Sequence, residues 1–152
     1  MKKAWFFFSI LFVHSLAMAQ VQSPEQFLGY KVGTRYTPHW KIAEYFRHVA
    51  AAAGKQVRLV QYGITNEGRP LLVAFVSTEE HINNLEQIRL NNLRLAQLTR
   101  DRMAPTEATP AIVWLSYNVH GNETSSSEAA MLTLFTLVDP AHSASKEWLK
   151  NS

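Results

Sequence analysis

The 152-residue sequence contains no cysteine. That absence excludes a disulfide framework, a thiol nucleophile, a thiolate zinc finger and a lipid-modified cysteine anchor together. Any metal must therefore be held by histidine and carboxylate. Glycine and proline are sparse, six of each, which excludes a collagen-like chain. Charged residues make up 18% against 47% hydrophobic, a balance that excludes a disordered chain and gives this length a core to bury. Charge of one sign hardly predominates, with 15 Lys+Arg against 12 Asp+Glu, and no basic patch suggests nucleic acid as a partner. A membrane helix needs about 20 apolar residues in succession, and no run here reaches that.

The longest apolar run lies at the N-terminus. Met1-Lys2-Lys3 is a basic start, Ala4 to Val13 is almost continuously apolar, and Ala17-Met18-Ala19 has the small-x-small form of a cleavage site. Residues 1–19 thus read as a secretory signal peptide, followed by a single domain over 20–152. Cleavage would leave Gln20 at the N-terminus, remove two lysines and leave no membrane anchor. A secreted or periplasmic protein is expected.

From Gln20 to Tyr36 the chain reads as a polar lead-in. Thr37-Pro38 has the form of a helix N-cap with proline at the first helical position. Ile42, Tyr45, Phe46, Val49, Ala50 and Ala53 then form one apolar stripe at helical spacing, closed by Gly54. Val57 to Ile64 and Leu71 to Val76 read as strands around a Thr65-to-Pro70 turn cluster. The second is apolar at nearly every position, as in a strand covered on both faces. Ser77-Thr78-Glu79-Glu80 has the form of a capping box, opening a helix over 80–99. A loop over 101–109 leads to a third apolar strand, Ala111 to Tyr117. Ser125-Ser126-Ser127-Glu128 is a second capping-box pattern, with a helix running on to Val138. This order implies an α/β sheet with helices on both faces.

Chemistry concentrates in Asn118-Val119-His120-Gly121-Asn122-Glu123. This loop leaves a strand and enters a helix, where open α/β sheets place their ligands. His120 offers nitrogen and Glu123 oxygen three residues later, a donor pair suited to zinc, and Gly121 lets the backbone bend between them. On spacing and position alone the stretch reads more readily as a polar strand-to-helix turn, with Glu123 placed where the helix dipole favours its charge. His142 reads as an exposed loop residue, and His39, His48 and His81 as surface residues. Ser125 to Ser127 lack a Gly-x-Ser-x-Gly nucleophile pattern and are better explained by capping. Trp40 and Trp114 read as core. Asn122-Glu123-Thr124 fits a glycosylation sequon, but a glycan there would block the metal pair.

The stretch Pro110 to Glu123, PAIVWLSYNVHGNE, closely resembles the zinc-binding segment of the zinc carboxypeptidases, the carboxypeptidase A-like metallopeptidases. Ile64 to Leu71, ITNEGRPL, is similar to the hairpin between that family's first two strands. The flanking helices fall in matching order, and the resemblance spans roughly residues 24 to 140. It implies that His120 and Glu123 are two of three zinc ligands, the known set in carboxypeptidase A being two histidines and one glutamate. The family's second histidine, its substrate-binding arginines, its pocket tyrosine and its general-base glutamate lie well downstream. After Glu123 this sequence has only His142 and Glu147 besides Glu128, and no arginine or tyrosine. The expected fold is therefore the front part of a mixed-sheet α/β/α carboxypeptidase domain, ending after the first zinc-ligand motif, with no catalytic base of its own.

The resemblance implies one Zn2+ ion and hydrolysis of C-terminal peptide bonds by a zinc-activated water, with this segment alone inactive. The substrate would be a peptide or, for an envelope protein, a peptidoglycan stem peptide. Two alternatives share the motif: an amidohydrolase of small acylated amino acids in the same superfamily, and a non-catalytic binding protein on the same fold. The secretion signal and the N-terminal helix-plus-hairpin favour the peptidase.

Overall fold

The computed structural model describes residues 20–100 and 109–152. The signal-peptide assignment (1–19) and most of the 101–109 loop lie outside them. Among the described residues, six helices and one antiparallel hairpin make a mixed α/β structure. The elements are α1 (Pro24–Leu28), α2 (His39–Ala52), β1 (Val57–Ile64), β2 (Pro70–Val76), α3 (Glu79–Asn83), α4 (Leu85–Leu95), α5 (Thr124–Val138) and α6 (Ser143–Asn151).

The hairpin forms where its turn residues permit. The Thr65 and Gly68 amides donate to the Arg69 and Thr65 carbonyls at 2.8 and 2.9 Å, and Gly68 takes φ 74°, open to glycine without steric cost. The register runs from Val57 opposite Val76 to Ile64 opposite Pro70, with an irregularity between Gln61 and Gly63. Arg69 pairs with Glu67 at 2.5 Å within the turn.

The core gathers Leu28, Tyr45, Val49, Val57, Met131, Leu134 and Val138. These come from α1, α2, β1 and α5, so α5 packs against α2 while the hairpin covers one flank. The apolar stripe read along residues 42–53 is the face that α2 buries or half-buries.

Several expectations are corrected. Residues 111–117 form no strand: they have no ladder partner among the described residues, and Ile112, Val113, Trp114 and Leu115 are 55–68% exposed. A strand exists only through a neighbour's hydrogen bonds, and β1 and β2 are paired with each other. For the same reason β2 is half-buried rather than covered on both faces, and Phe75 is exposed. The 80–99 helix is two helices broken at Asn84. Its N-cap is Thr78, whose hydroxyl accepts from the His81 amide at 3.3 Å, while Ser77 is buried and donates to the carbonyls of Leu149 and Ser152. Trp40 is exposed, as is Trp114.

The polar lead-in contains α1, whose signature stands in the sequence. Ser23 and Gln26 form a complete capping box with Pro24 in the first turn, and Gly29 closes the helix at φ 74°. Helix α6 was not anticipated. Its N-cap is His142, which accepts from the Ser145 amide at 3.3 Å and so is a half-buried cap, not a loop residue.

Candidate metal centre

Helix α5 starts at Thr124 with Glu123 as its N-cap, and no side chain caps it. The Ser125–Glu128 capping box is therefore absent, and its members have other roles. Ser126 Oγ accepts from the Asn118 amide at 2.5 Å. Asn118 stands at φ 57°, so the sharp change of direction is taken there. Gly121, expected to provide it, is not in the left-handed region. The Glu123 amide donates to the His120 carbonyl at 3.1 Å and the Ser126 amide to the Glu123 carbonyl at 3.0 Å. Upstream, the Tyr117 hydroxyl donates to Thr133 Oγ1 at 2.8 Å.

This turn brings the two predicted donors together. His120 Nδ1 lies 3.1 Å from Glu123 Oε1, with side chains 70% and 56% exposed. Two donors on one tetrahedral zinc are separated by roughly 3.3 Å, given bonds of about 2.0–2.1 Å. The pair therefore has the spacing and the nitrogen-plus-oxygen chemistry that zinc takes. Its exposure leaves it open to an incoming ion, and as an ion pair in solvent it contributes little to stability. Glu123 also sits where α5 presents free amides, which favours its negative charge.

No group of three metal-ligating side chains occurs among the described residues. His142 caps α6 beside Trp148, with ring centroids 5.8 Å apart. All three histidines expected at the surface, His39, His48 and His81, are half-buried instead. His48 Nε2 accepts from the Gln22 amide at 3.2 Å and its ring lies 5.4 Å from Phe27. His81 Nδ1 shares a hydrogen bond with Ser77 Oγ at 2.8 Å.

One long-range contact of α5 has little signature in the sequence. Glu128 is 6% exposed. It accepts hydrogen bonds from the Gly33 amide at 2.8 Å and from the Thr37 hydroxyl. Thr37, read as a helix cap, instead serves this contact, and Pro38 is the N-cap residue of α2. The contact's one hint is a single glutamate ahead of the largely apolar run 129–138.

No curated protein and no solved structure matches the chain. The zinc carboxypeptidase family matches residues 42–151, from the first turn of α2 to the last residue of α6. That span includes the hairpin, the His120–Glu123 turn and the helix that carries it, in the order the resemblance requires: the chain belongs to the zinc carboxypeptidase family.

Proposed function

We propose that His120 and Glu123 are two ligands of a catalytic zinc ion in a secreted metallocarboxypeptidase that cleaves C-terminal peptide bonds. The observation that carries this reading is the 3.1 Å approach of Nδ1 and Oε1 on an exposed turn inside the family-matched span. Family membership makes the protein a zinc-carboxypeptidase-type hydrolase. The ligand assignment, the peptide or peptidoglycan stem-peptide substrate and the export of the mature chain from Gln20 are our extension.

In such a shell zinc supplies Lewis acidity toward a carbonyl and acidifies a water. The chain's own contribution is to deliver one neutral imidazole nitrogen and one carboxylate oxygen from a turn braced on α5. Both must be free of protons to ligate, so the hydrogen bond they share without metal is exchanged for two metal bonds. Among the described residues no third metal-ligating side chain joins the pair.

Metal analysis of the intact protein tests the reading. Wild type should carry about one zinc per chain, and His120→Ala or Glu123→Ala should each lose it, while His142→Ala should retain it. Full zinc in either of the first two variants refutes the assignment. Stoichiometric zinc without hydrolysis of any C-terminal peptide bond would favour the binding-protein alternative. Hydrolysis confined to N-acylated amino acids would favour the amidohydrolase.

A further inference from the structure

Glu128 is the one buried acid among the described residues, and the zinc reading makes no use of it. Burying a carboxylate is costly unless its oxygens are satisfied. Here both are. Oε2 accepts from the Gly33 amide at 2.8 Å, and Oε1 accepts from Thr37 Oγ1, which also shares a hydrogen bond of 2.8 Å with the Tyr30 hydroxyl. Gly33 stands at φ +81° beside the turn in which the Thr34 amide donates to the Lys31 carbonyl at 3.2 Å. The segment between α1 and α2 is thus fastened to the second turn of α5.

The metal pair stands immediately before the first turn of the same helix, with Glu123 as its N-cap. Residues 117–123 are exposed, and the hydrogen bonds that brace them reach α5 through Ser126 and Thr133. Glu123 to Glu128 is five residues, about 7.5 Å of helix rise. Whatever sets the position of that helical end sets the platform on which His120 and Glu123 meet.

We propose that Glu128 is a positioning residue: its carboxylate clamps Gly33 and Thr37 to α5 and thereby holds the His120–Glu123 turn in its metal-binding arrangement. This rests on the reading of that pair as zinc ligands.

The test compares Glu128→Ala, Glu128→Gln and Thr37→Val in the intact protein. Zinc affinity is read by competition with a chelator, and amide hydrogen exchange over residues 118–124 is read without metal. Glu128→Ala should weaken zinc binding about tenfold, the low end of what loss of an outer partner costs. It should also speed exchange over 118–124 more than in the β1–β2 hairpin. Glu128→Gln should stay within about twofold of wild type, because its amide oxygen accepts from Gly33 while its NH2 donates to Thr37, whose hydroxyl can turn to Tyr30. A folded Glu128→Ala protein with wild-type zinc affinity and unchanged exchange over 118–124 overturns the proposal, as does a Gln variant as impaired as Ala. If Glu128→Ala does not fold, Thr37→Val decides through the same two measurements: severalfold weaker zinc with faster local exchange supports the clamp, and wild-type behaviour overturns it. Retention of zinc by His120→Ala would defeat the ligand reading alone, since hydrogen exchange judges the clamp without metal.

Discussion

Replacing Tyr45 by phenylalanine should change stability with a sign that depends on pH. Tyr45 is fully buried on α2, its ring edge-on to Phe27 at 5.2 Å, and its hydroxyl donates to the Gln22 carbonyl at 3.0 Å. Phenylalanine keeps the ring packing and removes only that hydrogen bond. Gln22 is exposed, so water can replace the lost donor, and the cost near neutral pH should be about 0.5–1 kcal/mol. Burial also pushes the phenol well above its ordinary value of 10.0. A group whose folded pKa is raised contributes stability that is fully present below its unfolded pKa and is lost as pH rises toward the folded one. Above pH 10 the unfolded phenol ionises while the folded one stays neutral, which removes about 1.4 kcal/mol per pH unit from wild type. Tyr45→Phe has no such loss. Wild type should therefore be the more stable at about pH 8 and the less stable by about pH 11, with the order reversing above the unfolded tyrosine pKa. Urea unfolding of both intact proteins across this range reads the difference directly, and other titrating groups cancel between them. A stability difference that stays constant from neutral to strongly alkaline pH would refute the argument, because it would mean that Tyr45 ionises equally well folded and unfolded.

Two further outcomes concern parts of the chain with less packing around them. Exported from a bacterium with its own leader, the protein should begin at Gln20; N-terminal sequencing that finds Met1 on most of it would remove the localisation proposal. Ile112, Val113, Trp114 and Leu115 form an exposed apolar run without a ladder partner among the described residues, an arrangement that invites pairing with other chains. Residues 20–152 expressed alone should associate in light scattering, and Val113→Lys should reduce that association; a monodisperse monomer without the substitution would count against it.

Elements specified by short-range signals were legible in the residues. The apolar stripe over 42–53 is the face α2 presents to the core, and Thr65 to Pro70 turns the hairpin. The His120–Glu123 pair was legible too, because a strand-like run, a bend and a helix start lie within a few residues of one another. Capping patterns were less dependable. Ser23 and Gln26, in a stretch read only as a polar lead-in, make a box, whereas the two patterns read as boxes, Ser77 to Glu80 and Ser125 to Glu128, do not. A cap is decided by competition: Glu128 found better partners in Gly33 and Thr37, 95 and 91 residues away.

The sequence by itself determined the family, through the segments 64–71 and 110–123, and restricted any metal site to nitrogen and oxygen donors, since both depend on residue type within short segments; His120 and Glu123 are the donor pair we propose. Tertiary structure alone decided that residues 111–117 do not become a strand, having no ladder partner among the described residues. It also decided that Trp40 and Trp114 face solvent, and that a glutamate resembling a cap locks an N-terminal segment onto α5. The physical reason is the same in each case. A ladder, a buried face and a satisfied buried carboxylate all require a partner brought from elsewhere in the chain, and local sequence specifies only the group that needs the partner.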